Sequence, residues 1–204
     1  MIKNLLTLSL CLVLGSSCFA QLSAERLLTE NENNPISIDI KTPRFSWQLA
    51  TGTAKNVLQS AYQVKVYTAA DNKLIWNSNK VSGSQSIYVP YKGPALTSRS
   101  AYVWQVMVWD NKGHASPWSK KATWRMGLLS PTDWKASWIG PGYAGDTVNK
   151  PSPMFRKGIT LNKTVKSAFA YITAHGLYEA QINGAKIGDE YLTPGWTSYH
   201  KRLQ

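Results

Sequence analysis

Apolar and polar residues alternate along much of the chain after residue 20, which is the pattern of half-buried β-strands rather than of helices. The stretch "SAYQVKVYTA" alternates strictly, with Tyr62, Val64 and Val66 on its apolar side. Shorter strands are predicted for "KLIWNS" and "SIYVPY". Short strands at regular spacing, with turn residues between them, are typical of a β-sandwich.

The longest alternating stretch, "AYVWQVMVWD", carries apolar side chains on both of its faces, which predicts an inner strand. One face has Tyr102, Trp104, Val106 and Val108, and the other has Val103, Met107 and Trp109. Tyr102 follows Leu96 at the spacing of a tyrosine corner, in which the phenol bonds the backbone a few residues upstream. Together with Trp47 in "RFSWQL", this predicts an immunoglobulin or fibronectin III-like sandwich over residues 21–128. We interpret its tryptophans as core or edge residues rather than as sugar platforms.

A second all-β segment is predicted over residues 134–204, after a boundary rich in Pro and Gly at "GLLSPTDWKASWIGPG". Its predicted strands are "PMFRKGITL" and "KSAFAYITAHGLYEAQI". The second of these leads into a hairpin that turns at Asn183-Gly184, because a type I′ turn requires positive φ at both central positions. In that register Ile182 opposes Ala185, and Tyr178 opposes Asp189. The apolar face of the hairpin then contains Tyr178, Ala180, Ile182 and Ile187.

Residues 1–20, "MIKNLLTLSLCLVLGSSCFA", form a separate unit with a Lys, an apolar stretch and a small-residue end. We predict a secretory signal peptide that is cleaved after Ala20, and therefore a periplasmic or extracellular protein. The alternative is a lipoprotein with lipid on Cys18, although the preceding "GSS" lacks the expected Leu. Cys11 and Cys18 are the two cysteines of the chain, so cleavage excludes cysteine chemistry in the mature protein.

The formal net charge of +12 invites a nucleic-acid interpretation, but the basic residues are spread along the chain. The densest groups are "SKKATWR" and "HKR", and no helix-turn-helix, zinc or RNA-motif spacing accompanies them. We therefore predict no nucleic-acid partner, and the apolar stretch of residues 1–20 is too short to predict a membrane span.

The order of motifs resembles the N-terminal region of bacterial α-L-rhamnosidases over nearly the whole mature chain. The residues that carry the resemblance are "ENNPISIDIKTPRFSWQL", "QSAYQVKVYTA", "SRSAYVWQVMVWDNKGHASPWSKKATWRMGLL", "DWKASWIG" and "YEAQINGAKIGDEYLTPGWTSYHKR". The resemblance implies an immunoglobulin-like domain, then a jelly-roll-like sandwich that helps to recognise substrate, and a helical barrel that hydrolyses terminal rhamnose with inversion. By this resemblance the sequence ends inside the second sandwich, so we expect that sandwich to be incomplete and the barrel to be missing.

Glycoside hydrolysis ordinarily needs two carboxyl groups on either side of the scissile bond. The best candidates, Glu179 and Asp189, fall on opposite faces of the predicted hairpin, so we expect no catalytic pair and no activity from this chain alone. His114, His175 and His200 are isolated in the sequence, without a zinc-site spacing. No cofactor is predicted, and calcium binding is left open.

Carbohydrate binding is the chemistry that remains. Trp196 in "LTPGWTSY" follows Pro-Gly and is a candidate sugar-stacking ring, with Glu179, Asn183 and Asp189 as hydrogen-bonding groups. The alternative is that Trp196 covers the edge of the sandwich.

Two hypotheses for the whole molecule follow from the sequence. In the first, this is the non-catalytic N-terminal part of a secreted α-L-rhamnosidase, whose partners are rhamnose-containing glycans and the missing C-terminal catalytic region. In the second, it is a stand-alone carbohydrate-binding or adhesive module of the cell envelope.

Overall fold

A computed structural model describes residues 22–143, 148–149 and 151–204 of the chain. The contacts between Cα atoms divide the chain into two compact units, Met1–Trp138 and Ile139–Gln204. The predicted signal peptide, with Cys11, Cys18 and Ala20, lies outside the described residues. Within the described ranges, no helix has the length and apolar character needed to cross a membrane.

The described part of the first unit consists of β-strands and one short 3-10 turn. The strands are β1 (Ser23–Thr29), β2 (Arg44–Ala50), β3 (Gln59–Thr68), β4 (Leu74–Asn77), β5 (Val81–Ser82), β6 (Val89–Pro90), β7 (Ala101–Asp110) and β8 (Ala122–Arg125). One sheet has the order β1-β2-β6, and the other has the order β4-β3-β7-β8, with β5 also paired to β3. All of these neighbours are antiparallel. The all-β fold and the immunoglobulin-like first domain are therefore confirmed.

The core of this sandwich is aromatic, and β7 supplies its centre. Residues of β7 alternate between buried and half-buried along its whole length, as the sequence predicts, and β7 lies between β3 and β8 as an inner strand. The Trp104 ring lies 4.4 Å from the Phe45 ring between centroids, and the Phe45 ring lies 5.4 Å from that of Trp124. Trp104 is fully buried, and its indole Nε1 donates a hydrogen bond to Thr29 Oγ1 at 3.1 Å.

The predicted tyrosine corner is present at the start of β7. The Tyr102 hydroxyl accepts a hydrogen bond from the backbone N–H of Thr97 at 2.9 Å. Leu96 packs against the core beside it. The corner thus fixes the loop that leads into β7 by satisfying a backbone donor.

Strand β1 was not predicted, because its alternation is broken. The pairing of β1 with β2 shifts register between Glu25 and Leu28, and Arg26 has a φ of 48°. A bulge of this kind places an extra residue in one strand and interrupts the period of two. Leu22, Ala24 and Leu27 are nevertheless buried, so β1 closes its side of the core.

Near the end of the first unit the chain forms a hydrogen-bonded turn at Pro131–Asp133. Asp133 Oδ2 accepts from the Ser98 hydroxyl at 2.5 Å and from the Ser130 N–H at 3.0 Å. The Ser98 hydrogen bond, followed by the backbone donors at Ser130 and Leu129, holds the pKa of Asp133 below its usual value. These bonds attach the connector to the loop that precedes β7.

The second unit contains far less regular structure in its described part. A two-stranded sheet forms from β9 (Gln181–Ile182) and β10 (Ala185–Lys186). The prediction of a strand at "PMFRKGITL" is wrong, because this segment forms no strand. Of the strand predicted at "KSAFAYITAHGLYEAQI", only the last two residues form one. A strand needs a neighbour to satisfy its backbone groups, and in the second segment the ladder with β10 reaches only Gln181 and Ile182. None of the described residues from 139 to 204 is buried.

The hairpin turn itself matches the sequence prediction. Asn183 and Gly184 have φ values of 52° and 82°, as a type I′ turn requires. Ile182 opposes Ala185, and the Ile187 N–H bonds the Ala180 carbonyl at 2.9 Å.

The prediction that Tyr178 opposes Asp189 is wrong, because Tyr178 pairs with Thr193 instead. Gly188 has a φ of 74°, which turns the chain away from the ladder after Ile187.

Candidate functional site

Trp196 projects from a tight turn in the second unit. The turn is closed by a hydrogen bond from the Gly195 N–H to the Leu192 carbonyl at 2.9 Å. Gly195 has a φ of +94°, and a Cβ at this position would lie 2.9 Å from Gln204 Oε1. Glycine fits here because of the positive φ, since Gln204 Oε1 is the end of a flexible side chain that can move aside. The Trp196 side chain that follows is 79% exposed.

Two other rings lie beside Trp196. The Tyr199 ring meets the Trp196 ring edge-on at 5.8 Å between centroids, with an interplanar angle of 62°. The His175 ring stacks on Tyr199 at 5.1 Å and 9°. We call Trp196, Tyr199 and His175 the aromatic cluster. An exposed indole backed by further rings is a surface on which the apolar face of a sugar can stack.

Polar groups accompany these rings. An open depression is lined by Trp196, Thr197, Ser198, Tyr199 and His200. Ser198 Oγ and His200 Nε2 lie 3.1 Å apart, at hydrogen-bonding distance. The Tyr199 hydroxyl oxygen is buried, and among the described residues no hydrogen-bond partner reaches it. That oxygen is enclosed by the protein, so the polar side chains open to a ligand here are those of Ser198 and His200.

The other three predicted binding residues lie on the hairpin and do not line this depression. Glu179 Oε1 accepts a hydrogen bond from Gln181 Nε2 at 3.0 Å. Asn183 occupies the turn, and Asp189 follows the end of β10. The structure therefore groups Trp196 with Tyr199, His175 and His200, which the sequence analysis did not assign to the site.

Among the described residues, we find no group of side chains arranged as a hydrolytic centre. Asp110 and His114 form the one close carboxylate–imidazole pair described, with Oδ2 and Nδ1 at 3.0 Å. Asp110 also accepts the backbone N–H groups of Lys112 and His114, so the pair closes the turn after β7. Burial opposes ionisation of Asp110, but these hydrogen bonds outweigh it and lower its pKa. Among the described residues, no group of three or more potential metal ligands gathers.

The predicted placement of Glu179 and Asp189 on opposite faces of the hairpin does not apply, because β10 ends at Lys186 and Asp189 lies beyond it. A different observation is therefore needed to exclude them as a catalytic pair. Both side chains are exposed to solvent in the second unit. Neither carboxyl group lines the depression beside Trp196, so the structure does not place them on either side of a bound sugar, as glycoside hydrolysis requires.

Comparison with protein-family models gives two matches. Residues 24–130 match the "Rha78A-like, N-terminal immunoglobulin domain" model, which covers the sandwich of the first unit. Residues 163–204 match the "Alpha-L-rhamnosidase N-terminal domain" model, which covers β9, β10 and the aromatic cluster.

Named proteins and solved structures give the same result. The chain is 36% identical over 189 residues to an α-L-rhamnosidase of Formosa agariphila, covering 87% of this chain and 20% of that protein. It is 38% identical over 185 residues to one of Alteromonas sp., covering 84% of this chain and 20% of that protein. The structure of an α-L-rhamnosidase from Dictyoglumus thermophilum aligns with a TM-score of 0.72 at 32% identity, covering 86% of this chain and 22% of that one. The chain thus spans about a fifth of the length of these relatives.

Proposed function

This chain belongs to the family of Rha78A-like N-terminal immunoglobulin domains of α-L-rhamnosidases, and on that premise we propose that it serves as the non-catalytic N-terminal part of such an enzyme. The substrate class is a glycan with terminal α-L-rhamnose. In this proposal the first unit supports neighbouring domains and the second helps to hold the substrate. Catalysis belongs to the remaining length of the enzyme.

The observation that carries the proposal is the match of both units to the N-terminal models of one enzyme family. Glu179 and Asp189, the best candidates for a catalytic pair, are exposed and do not line the depression beside Trp196. Both points favour an accessory role over a catalytic one. We further propose that residues 1–20 direct export, which agrees with a substrate outside the cytoplasm.

Substrate recognition in this proposal centres on Trp196. Its exposed ring stacks on the C–H face of a rhamnose unit. His200 and Ser198 line the same depression and supply further polar contacts to sugar hydroxyls. Glu179, Asn183 and Asp189 remain proposed contacts for a longer glycan that reaches the hairpin.

Replacement of Trp196 by alanine is expected to weaken the binding of L-rhamnose about fivefold, which corresponds to ~1 kcal/mol. The reason is the loss of the stacking surface, since the side chain is too exposed to support the fold. Isothermal titration calorimetry of the soluble chain with L-rhamnose measures the change. Trp138→Ala is the matched control, because it removes another exposed tryptophan outside the second unit. Identical titrations for Trp196→Ala and the unmodified chain would leave Trp196 as an edge-covering residue.

A further inference from the structure

The outer face of the sheet formed by β4, β3, β7 and β8 carries a set of aromatic rings that the proposed function does not use. The alternating buried positions from Tyr62 to Val66 on β3 and from Tyr102 to Val108 on β7 face the core, so the positions between them face outward. They place Lys65 and Tyr67 on β3 opposite Gln105 and Val103 on β7. Trp109 lies on the same side, opposite the small Ala61.

Trp118 extends this face beyond β7. Ser116 and Ser119 flank Trp118 in the sequence, and each forms hydrogen bonds to β7 through its backbone and its side chain. The Val108 and Val106 N–H groups donate to the Ser116 and Ser119 hydroxyls, each at 3.0 Å. The backbone N–H groups of the two serines return bonds to the Val108 and Val106 carbonyls, each at 2.8 Å. Trp118 is thereby fixed against the sheet even though it lies outside a strand.

Three lysines lie across these rings. The ammonium of Lys65 lies 4.6 Å from the centroid of Trp118, and that of Lys80 lies 4.6 Å from the centroid of Trp109. The ammonium of Lys121, from the "SKKATWR" segment, lies 5.4 Å from the centroid of Tyr67. We call Lys65, Lys80, Lys121 and the three rings the lysine–aromatic face. Cation–π contacts restrain each lysine and keep its charge at the surface.

The charge of this face is not balanced within the sheet. The strands β3, β4, β5, β7 and β8 contain a single carboxylate, Asp110, and the turn after β7 occupies it. In the described part of the chain, the ion pairs are Arg44 with Glu30 and His114 with Asp110, so none of the three lysines has a carboxylate partner. Lys121 donates instead to the neutral Asn72 Oδ1 at 3.0 Å. Restrained lysines without carboxylate partners leave an excess of positive potential over one face of the sheet.

We propose that the lysine–aromatic face binds an acidic polysaccharide, that is, a linear glycan with carboxylate groups along its length. The ammonium groups meet the carboxylates, and the edges of the half-buried rings contact the apolar faces of the sugar units. Three ammonium groups from different segments of one sheet face suit an extended polymer rather than a single small sugar. The choice of a glycan over other polyanions rests on the proposed function, since the enzyme family acts on glycans.

The test is a calorimetric titration of the purified chain with polygalacturonate at low ionic strength. The variant Lys65→Gln/Lys80→Gln/Lys121→Gln removes three charges from the face. The matched control, Lys41→Gln/Lys55→Gln/Lys92→Gln, removes three exposed charges elsewhere in the first unit. We expect the first variant to weaken binding about tenfold and the control to weaken it less than about twofold. Lysine-to-arginine changes at the three positions of the face should retain binding, because the charge is retained.

Equal weakening by the two glutamine variants would overturn the proposal, since net charge alone would then explain the attraction. Binding of polyglutamate or duplex DNA as tight as that of polygalacturonate would also overturn it, because the face would then not select a glycan. L-rhamnose titration separates this proposal from the proposed function. The three-lysine variant should leave rhamnose binding unchanged, and Trp196→Ala should leave polygalacturonate binding unchanged.

Discussion

Replacing Trp104 by alanine is expected to lower the free energy of unfolding of the first unit by about 3–5 kcal/mol. Trp104 is fully buried at the centre of the aromatic core, with Phe45 at 4.4 Å between ring centroids. Its removal leaves a cavity between the two sheets and leaves the buried Thr29 hydroxyl without its indole donor. A domain of this size is stable by about 5–15 kcal/mol, so the change removes a large part of the total.

Urea denaturation followed by far-ultraviolet circular dichroism measures this loss. Ile36→Ala is the control, because Ile36 is an exposed apolar side chain of the same unit and should change stability by less than about 0.5 kcal/mol. Trp104→Phe keeps part of the ring volume, so its loss in free energy of unfolding should lie between those of Trp104→Ala and Ile36→Ala. A loss below about 1 kcal/mol for Trp104→Ala would mean that the core is not organised around this residue.

Trypsin is expected to cut the second unit much faster than the first. Proteolysis requires local opening, and the free energy of opening is low where few side chains are buried. All buried residues of the described part lie in the first unit, whereas Met154 and Ile159 in the second are 95% and 75% exposed. The trypsin sites of the second unit that the structure describes are all exposed: Arg156, Lys157, Lys163, Lys166, Lys186, Lys201 and Arg202.

Limited digestion of the soluble monomer, with masses assigned to each fragment, measures the difference. The expected first products end at Arg156, Lys157 or Lys163, followed by a persistent fragment that contains β1 to β8. A difference of about 3 kcal/mol in opening free energy corresponds to more than a hundredfold in rate. Equal half-lives for sites in the two units would contradict this, and would show that the second unit is as well packed as the first.

The sequence predicted elements well wherever the periodicity is local and uninterrupted. Strand β7 is the clearest case, because ten residues alternate without a break and the tyrosine corner marks where it begins. The Asn183-Gly184 turn was predictable because only a few residue types adopt positive φ at two successive positions. Strand β1 was missed because its bulge breaks the same periodicity.

Strands that depend on a partner could not be predicted from pattern alone. The segment "PMFRKGITL" has β-prone residues, yet it forms no ladder in the described structure because nothing pairs with it. The pairing of Tyr178 with Thr193 was missed for a related reason. The turn at Gly188 displaces the chain, so the hairpin register does not continue beyond Ile187.

The candidate site was only partly accessible from sequence. Trp196 stood out because an aromatic residue after Pro-Gly is typical of an exposed turn. The stacking of His175 on Tyr199 joins residues far apart in the chain, so no local pattern indicates it. The spacing of Trp196 and Tyr199 in "WTSYH" was the one local signal for the cluster.

Release of L-rhamnose from an aryl α-L-rhamnoside by the purified chain is the most direct test of the non-catalytic role. We expect no release above the uncatalysed rate, because Glu179 and Asp189 are both exposed and neither lines the depression beside Trp196, so they do not flank a bound sugar. The variants Glu179→Gln and Asp189→Asn should give the same baseline. Turnover that follows the purified chain and disappears in either variant would contradict the proposal that this region binds substrate without cleaving it.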